Sequence, residues 1–183
     1  MWYAKHREVR VKVVLHICCG VCAAAVVERL AGEGHQVLGF FYNPNIHPAQ
    51  EYEKRLQVAH RVALEQVFPL EVAPYIPEDW FTEADLWKSE PEGGKRCEVC
   101  FKIRLEKTYL YLMECGADVF TTTLTISPHK SAEVVNSIGK EIGGDRFLER
   151  DFKKKEGFKR AVRLAKQWEL YQQSYCGCIY SME

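Results

Sequence analysis

Residues 9–22 read VRVKVVLHICCGVC, and this stretch decides how the fold begins. Between positions 9 and 13 valines alternate with charged residues, and an apolar run follows, which is typical of a strand that enters a buried core. Gly20 interrupts the run, and residues 21–30, rich in Ala and Val, predict a buried helix. The stretch therefore predicts a strand that turns directly into a helix, the start of a βαβ unit.

The remainder of the chain continues this alternation. Apolar patterns predict further strands at residues 36–42, 70–75, 118–124 and 146–149, and helices at residues 48–67, 97–115, 131–142 and 156–168. We therefore expect one α/β domain spanning residues 1–183, with a mainly parallel sheet and helices on both faces. Ligands of such sheets bind beyond the carboxyl ends of the strands, so a site is expected at residues 18–22.

The composition is that of a globular protein, with 47% hydrophobic and 27% charged residues among 183. No apolar run approaches the roughly 18 residues of a membrane span, and the first residues lack the apolar core of a signal peptide. We therefore expect a cytoplasmic protein with no membrane partner. Thiols in the cytoplasm stay reduced.

Seven of the eight cysteines fall into three groups. These are Cys18, Cys19 and Cys22, then Cys97 and Cys100, then Cys176 and Cys178. In a reducing compartment, grouped cysteines indicate metal or redox chemistry more often than structural disulfides. Cys115 stands alone, and we expect it to be a small core residue near the end of a helix.

The first two groups suit a metal centre. Cys97 and Cys100 begin a predicted helix, share one of its faces, and lie at a positive helix end that favours thiolates. Cys18 and Cys19 are adjacent, so their side chains diverge in an extended segment and reach different atoms of a polynuclear cluster more readily than one zinc ion. This argument favours iron–sulfur over zinc. Cys22 either faces the site or lies in the helix interior.

The third group, Cys176 and Cys178, has two interpretations. A disulfide across one intervening residue closes a small, strained ring and is easily reduced. In the second interpretation both thiolates bind a metal. A functional role follows from either one.

Three polar residues near predicted strand ends are weaker candidates. His16 precedes the cysteine pair on a buried strand, so we expect a core histidine. His129 follows a strand in a loop and is a candidate proton donor. Asp151 is a second candidate proton donor, and its alternatives are a supporting carboxylate or an ion-pair partner of its basic neighbours.

Basic residues are concentrated at residues 150–166, where eight basic and two acidic residues give +6 in a chain of formal net charge zero. Such asymmetry indicates a face for a polyanion, and the alternative is a solvated helix face. The candidate nucleic-acid-binding residues are Lys153, Lys154, Lys155, Lys159 and Arg160.

Four segments in order resemble the QueH family of epoxyqueuosine reductases: HICCGVC at 16–22, RCEVCF at 96–101, TTTLTISP at 121–128, and a tail with FLERDFKKK at 147–155 and YCGCI at 175–179. The combination of C-C-x-x-C, C-x-x-C and a late C-x-C is specific, whereas each part alone is not. One departure is Val21, where the family's C-C-x-P-C form carries proline.

The resemblance implies an adenine-nucleotide α-hydrolase-like (HUP, Rossmann-like) fold and reduction of epoxyqueuosine in tRNA to queuosine without cobalamin. It implies a [4Fe–4S] cluster on Cys18, Cys19, Cys97 and Cys100, and a redox-active pair, Cys176 and Cys178. An additional iron, with Cys22 as a further metal ligand, is a related expectation. The implied partners are tRNA carrying epoxyqueuosine and an external electron donor.

Two alternatives stay open. The first is an ATP-dependent iron–sulfur tRNA-thiolation enzyme, which shares the implied fold. Against it, residues 18–22 stand where a glycine-rich phosphate loop would lie, so ATP use is not expected. The second is a zinc-bound RNA-binding module without catalysis.

Overall fold

The computed structural model describes residues 10–182. Four strands, β1 (Lys12–His16), β2 (Gln36–Phe41), β3 (Leu70–Val72) and β4 (Val119–Thr122), form one sheet. Its order is β3-β2-β1-β4, and the three pairings are all parallel. The predicted α/β class with a parallel sheet is therefore confirmed. Val9, where the first strand was predicted to begin, lies outside the described residues.

Helices cover both faces of the sheet. They are α1 (Gly20–Gly32), α2 (Ala49–Glu65), α3 (Pro77–Ala84), α4 (Lys95–Cys115), α5 (Ala132–Gly143) and α6 (Gly157–Gln167). Successive side chains of a strand point to opposite faces. Accordingly, Val13 and Leu15 pack in one core with α1, α2 and α6. Val14 packs in the other core with residues of α4 and α5.

No helix among residues 10–182 combines the length and the apolar character needed to cross a bilayer. The longest helix is α4, which carries charged residues along its length and ends at Gly116 in the left-handed conformation. Its buried residues, Leu105 and Leu112 among them, pack against the sheet.

The prediction of a strand at residues 146–149 is wrong. Phe147 forms only an isolated bridge to Phe120, and Gly144–Arg146 is a short 3-10 helix. One backbone hydrogen bond, from the N–H of Leu148 to the Phe120 carbonyl at 2.8 Å, and side-chain packing hold the segment. The Phe147 ring lies 5.1 Å from the Phe120 ring and covers Gly139, where an added Cβ would lie 2.3 Å from it.

Helix α3 is absent from the sequence-based prediction. Its signals are nevertheless present, because Pro77 occupies the first turn, followed there by Glu78 and Asp79. Trp80 of this helix is fully buried and packs with Cys100 and Cys178. The helix therefore forms part of the wall around the later cysteines.

The turn from β1 into α1 depends on a glycine. A Cβ at Gly20 would lie 2.6 Å from Val58 of α2, so only glycine allows this close approach. Cys18 and Cys19 lie between the last residue of β1 and this glycine, at the carboxyl end of the strand.

Candidate metal and redox site

Cys18, Cys19 and Cys22 form a compact group where β1 turns into α1. Their three sulfur atoms all lie within 4.8 Å of one another. Cys19 caps α1, and its sulfur accepts a hydrogen bond from the backbone N–H of Cys22 at 3.4 Å. Cys22, ambiguous in the sequence, therefore lies beside the pair. Three converging thiols are a donor set that suits soft transition metals and iron–sulfur clusters.

Negative charge in this group is concentrated on Cys18. Hydrogen bonding from Cys19 and Cys22 holds the pKa of Cys18 well below its usual range. The hydrogen bond with Cys18 raises the pKa of Cys19 to about 12, and hydrogen bonds with Cys18 and Cys19 raise the pKa of Cys22. The hydroxyl of Thr123 also donates to the Cys18 sulfur, at 3.3 Å. Metal binding would release the protons that Cys19 and Cys22 retain.

Cys97 and Cys100 lie in the first turns of α4. The sulfur of Cys97 accepts a hydrogen bond from the backbone N–H of Gly93 at 3.2 Å. Burial raises the pKa of Cys100. Both residues line a cavity of about 80 Å³ together with Cys176 and Cys178. The C-x-x-C and the C-x-C therefore share one cavity.

A second, larger cavity of about 310 Å³ adjoins the first and is lined by Cys18, Cys22 and Cys176. Cys176 lines both cavities, and so do residues from three loops and from α4. These shared residues are Asn45, Glu92, Arg104, His129 and Lys130. The three cysteine groups thus converge beyond the carboxyl ends of the strands, where ligands of such sheets bind.

Arg55 of α2 holds the C-x-C segment in place. Its terminal nitrogens donate to the carbonyl oxygens of Cys176 and Tyr175, both at 3.0 Å. Its Nε donates to Glu51 at 2.7 Å, and Glu51 also accepts from the Tyr171 hydroxyl at 2.7 Å. The sequence analysis did not identify these contacts of Arg55 and Glu51, although the spacing of the two residues is that of an ion pair on one helix face.

Gly177, between the two cysteines, adopts a left-handed φ of +104°. A Cβ there would lie 3.0 Å from Arg55 Nη1 and 3.0 Å from Ile46 Cγ1, so a larger residue would be both crowded and strained. Its carbonyl accepts from the backbone N–H of His47 at 2.8 Å. The conformation of the C-x-C is therefore fixed by both its own glycine and its neighbours.

Cys176 is the thiolate of this pair. Hydrogen bonding from Cys178, opposed by burial and aided by Ser181, lowers the pKa of Cys176 to about 5. The Ser181 hydroxyl lies 3.0 Å from its sulfur, and the backbone N–H of Cys178 donates to it at 3.4 Å. The pKa of Cys178 is raised by the same hydrogen bond and by burial. Neither cysteine forms a disulfide in this structure.

The two candidate proton donors occupy different places. His129 is exposed and lines both cysteine cavities. Asp151 lines a separate groove, where it accepts from the Lys153 backbone N–H at 3.0 Å and lies 3.8 Å from Lys153 Nζ. A proton-donor role for either residue stays a prediction.

His16 is a satisfied core histidine. It is fully buried, and its ring nitrogens contact Thr122 Oγ1 at 2.9 Å and the Tyr42 carbonyl at 3.2 Å. Burial, together with the charge of Arg104, lowers the pKa of His16 to about 4, so the ring is neutral at physiological pH.

The prediction for Cys115 is wrong. This residue is exposed rather than part of the core, with its sulfur 3.7 Å from the Leu112 carbonyl. It is the last residue of α4, which ends at Gly116 in the left-handed conformation.

The five basic candidates differ in their partners. Lys154 and Lys155 are exposed, and neither belongs to an ion pair found within residues 10–182. The others are engaged: Arg160 with Glu28 at 2.7 Å, Lys159 with Glu156 at 2.7 Å, and Lys153 Nζ with the carbonyls of Thr125 at 3.3 Å and Lys130 at 3.0 Å. Binding of nucleic acid by this segment stays a prediction.

Comparison with solved structures supports the fold. The chain is similar to the U34-tRNA thiolase NcsA from Methanococcus maripaludis, a structure with a [4Fe–4S] cluster. The match has a TM-score of 0.57 at 14% identity and covers 95% of this chain but 62% of the thiolase chain, under two thirds. At this identity the likeness concerns the fold alone, a parallel sheet covered by helices.

Comparison with curated proteins identifies the family. Residues 13–183 match the family model described as epoxyqueuosine reductase QueH. Proteins of that name share 38% identity in Acinetobacter baylyi, 35% in Streptococcus pyogenes serotype M1 and 35% in Thermotoga maritima. These matches cover 93%, 95% and 93% of this chain, and 80%, 71% and 90% of the respective relatives. The chain therefore belongs to the QueH family.

Proposed function

We propose that this protein reduces epoxyqueuosine in tRNA to queuosine, with Cys176 and Cys178 as the two-electron reductant. Family membership supports the reaction, since the relatives are named epoxyqueuosine reductases. The observation that carries the mechanism is the position of Cys176, which lines both cysteine cavities and is the thiolate of its pair. The lowered pKa makes it a nucleophile at neutral pH.

The cysteines also fit an iron–sulfur cofactor. Cys18, Cys19 and Cys22 present three sulfurs within 4.8 Å, and Cys97 and Cys100 line the adjoining cavity. We propose Cys18, Cys19, Cys97 and Cys100 as ligands of a [4Fe–4S] cluster, with Cys22 free to bind an additional iron. When bound, the cluster would supply single electrons, and the additional iron at Cys22 would supply a Lewis acid.

The overall reaction converts an epoxide and two thiols into an alkene, a disulfide and water. The Cys176 thiolate forms a bond to one epoxide carbon as that carbon–oxygen bond breaks, and the oxygen takes up a proton. Cys178 then attacks the Cys176 sulfur. The sulfur–sulfur bond forms, the carbon–sulfur electron pair becomes the second bond of the alkene, and the oxygen leaves as water.

The fixed backbone of the C-x-C suits this sequence of steps. Arg55 donates hydrogen bonds to the carbonyls of Tyr175 and Cys176 and so holds the attacking sulfur in position in the cavity. A disulfide across one intervening residue is strained and easily reduced, so an external electron donor restores the dithiol.

The test is an anaerobic assay of epoxyqueuosine-containing tRNA with a strong reductant and no cobalamin. Wild type should form queuosine. Cys176→Ser and Cys178→Ser should retain iron and sulfide yet lose turnover, whereas Cys115→Ser, which changes an exposed cysteine far along α4, should match wild type. Normal turnover in both tail variants would refute the dithiol mechanism, and absence of queuosine with wild type would refute the reaction.

A further inference from the structure

Arg104 is a buried cation whose partners are incomplete. It lies on α4 one turn after Cys100, and 3% of the residue is exposed. Its Nε donates to the Cys100 carbonyl at 3.0 Å, and its guanidinium lies 5.6 Å from the centre of the Phe101 ring. No carboxylate within residues 10–182 lies within 4.0 Å of it. Buried charges are normally paired, because desolvation is costly.

The other two arginines buried among residues 10–182 have more partners than Arg104, although Nε of Arg96 has none. Arg55 binds Glu51 and two carbonyl oxygens. Arg96 donates to the carbonyls of Lys88 and Glu90 and stacks on Tyr180. A guanidinium has five N–H donors, and for Arg104 one of them is engaged among the described residues. The remaining donors are available to a ligand.

Lys130 lies at the same place. Arg104 and Lys130 both line the two cysteine cavities, as Cys176 does. Lys130 is half-buried and takes part in none of the ion pairs found between residues 10 and 182. Its carbonyl, held by Lys153 Nζ at 3.0 Å, anchors the loop. Glu92 is the acidic residue of both cavity walls, and it is exposed at the rim.

We propose that Arg104 and Lys130 form an oxyanion site that receives the epoxide oxygen of the substrate. The inference rests on the proposed function, since a thiolate attack at carbon leaves the carbon–oxygen electron pair on oxygen. Arg104 and Lys130, which have no carboxylate partner among residues 10–182, line the same cavities as the attacking sulfur and can stabilise that negative charge there. Preorganised donors of this kind act strongly where water is excluded.

The two cations have different tasks. Arginine does not give up a proton in proteins, so Arg104 holds the oxygen by hydrogen bonds. The Lys130 ammonium protonates the alkoxide to a hydroxyl and then takes the proton of the Cys178 thiol as that thiol attacks Cys176. Lys130 passes this second proton to the departing hydroxyl, which leaves as water. A solvent proton, equivalent to the one that Cys176 lost on ionising, restores the ammonium.

This assignment provides a proton donor inside the cavities that hold the thiols. Asp151 lies in a separate groove, beside Lys153, and His129 is exposed at the cavity rim. Lys130, by contrast, contributes through its charge to the lowered pKa of Cys176, after the larger effect of hydrogen bonding from Cys178.

The experiment compares Arg104→Met, Arg104→Lys and Lys130→Gln with wild type. Lys102→Gln, on the same helix with a side chain 52% exposed, is the matched control. The readouts are kcat and KM for epoxyqueuosine-containing tRNA, iron and sulfide content, and the alkylation rate of Cys176. Removing one oxyanion donor lowers kcat by about 100-fold or more. We expect that loss in Arg104→Met and Lys130→Gln, a smaller loss in Arg104→Lys, and unchanged KM and cluster content. Alkylation measured at about pH 8, where Cys176 stays ionised even if its pKa rises, should also be unchanged.

Two results would overturn the inference. One is a kcat within threefold of wild type in Arg104→Met and Lys130→Gln. The other is a fall in the Cys176 alkylation rate as large as the fall in kcat. That result would mean that the cations stabilise the thiolate and not the oxygen. If Arg104→Met does not fold, Lys130→Gln in the loop decides alone. A failure of the proposed function would give a different result from a failure of this inference. It would appear as turnover by Cys176→Ser or as wild-type enzyme without activity.

Discussion

The ion pair between Glu51 and Arg55 should be worth much more than a second pair on the same helix. The side chains of Glu51 and Arg55 are 8% and 2% exposed, whereas Arg61 and Glu65, also four residues apart on α2, are 56% and 42% exposed. Removing one partner of a buried pair costs about 3–5 kcal/mol. A surface pair contributes about 0–1 kcal/mol.

These values translate into distinct melting temperatures. For a domain of this size each kcal/mol shifts the Tm by about 2–4 °C, so Arg55→Met should lower it by roughly 6–20 °C. Arg61→Met should lower it by no more than about 4 °C. Replacing Glu51 together with Arg55 by leucine and methionine should recover part of the loss, because no unpaired charge then stays buried.

Calorimetry of the four proteins under anaerobic conditions measures these shifts. Queuosine formation by the double variant, assayed below its melting temperature, should stay well below wild type, because the carbonyls of Tyr175 and Cys176 lose their donors. Equal Tm shifts for Arg55→Met and Arg61→Met would refute the reasoning, since the first pair is buried and bonded to the tail carbonyls whereas the second is exposed.

Three further predictions concern the cluster, the thiolate and the tRNA. Serine at Cys18, Cys19, Cys97 or Cys100 should lower iron and sulfide content, and full retention in all four variants would contradict the ligand assignment. The alkylation rate of Cys176 should be constant above about pH 6 and should fall tenfold per pH unit below its pKa of about 5, because only the thiolate reacts. A rate that still rises toward about pH 8.5, as it does for a free cysteine, would be inconsistent with that pKa. Replacing both Lys154 and Lys155 by glutamate should weaken tRNA binding and reduce its salt dependence without loss of iron; a salt-independent affinity in wild type would leave this segment a solvated face.

The sequence predicted the four strands of the sheet, although it also predicted a fifth at residues 146–149. It predicted the position of Cys18 and Cys19 at the end of β1 as well, because these features follow from local patterns. Alternating apolar residues mark β1, and Gly20 marks the turn that carries Cys18 and Cys19 to the sheet edge. The sequence could not decide the side of α1 on which Cys22 lies, since that depends on how Cys19 caps the helix.

The arrangement of the C-x-C depends on contacts that local patterns do not encode. Arg55 reaches the carbonyl of Cys176 across 121 residues of sequence. Glu51–Arg55 and Arg61–Glu65 both appear as ordinary pairs four residues apart, and only tertiary packing buries the first. The sequence also could not show that Arg104 lacks a carboxylate partner among residues 10–182, because this depends on which residues the fold places around it.

The central claim is that the two electrons come from Cys176 and Cys178, and a single-turnover measurement tests it most directly. Fully reduced enzyme, freed of external donor under anaerobic conditions, is mixed with a small molar excess of epoxyqueuosine-containing tRNA. Queuosine and the redox state of the tail peptide are then quantified by mass spectrometry. The account predicts one queuosine per active enzyme and one Cys176–Cys178 disulfide for each queuosine formed. Queuosine formed while both thiols stay reduced would contradict it.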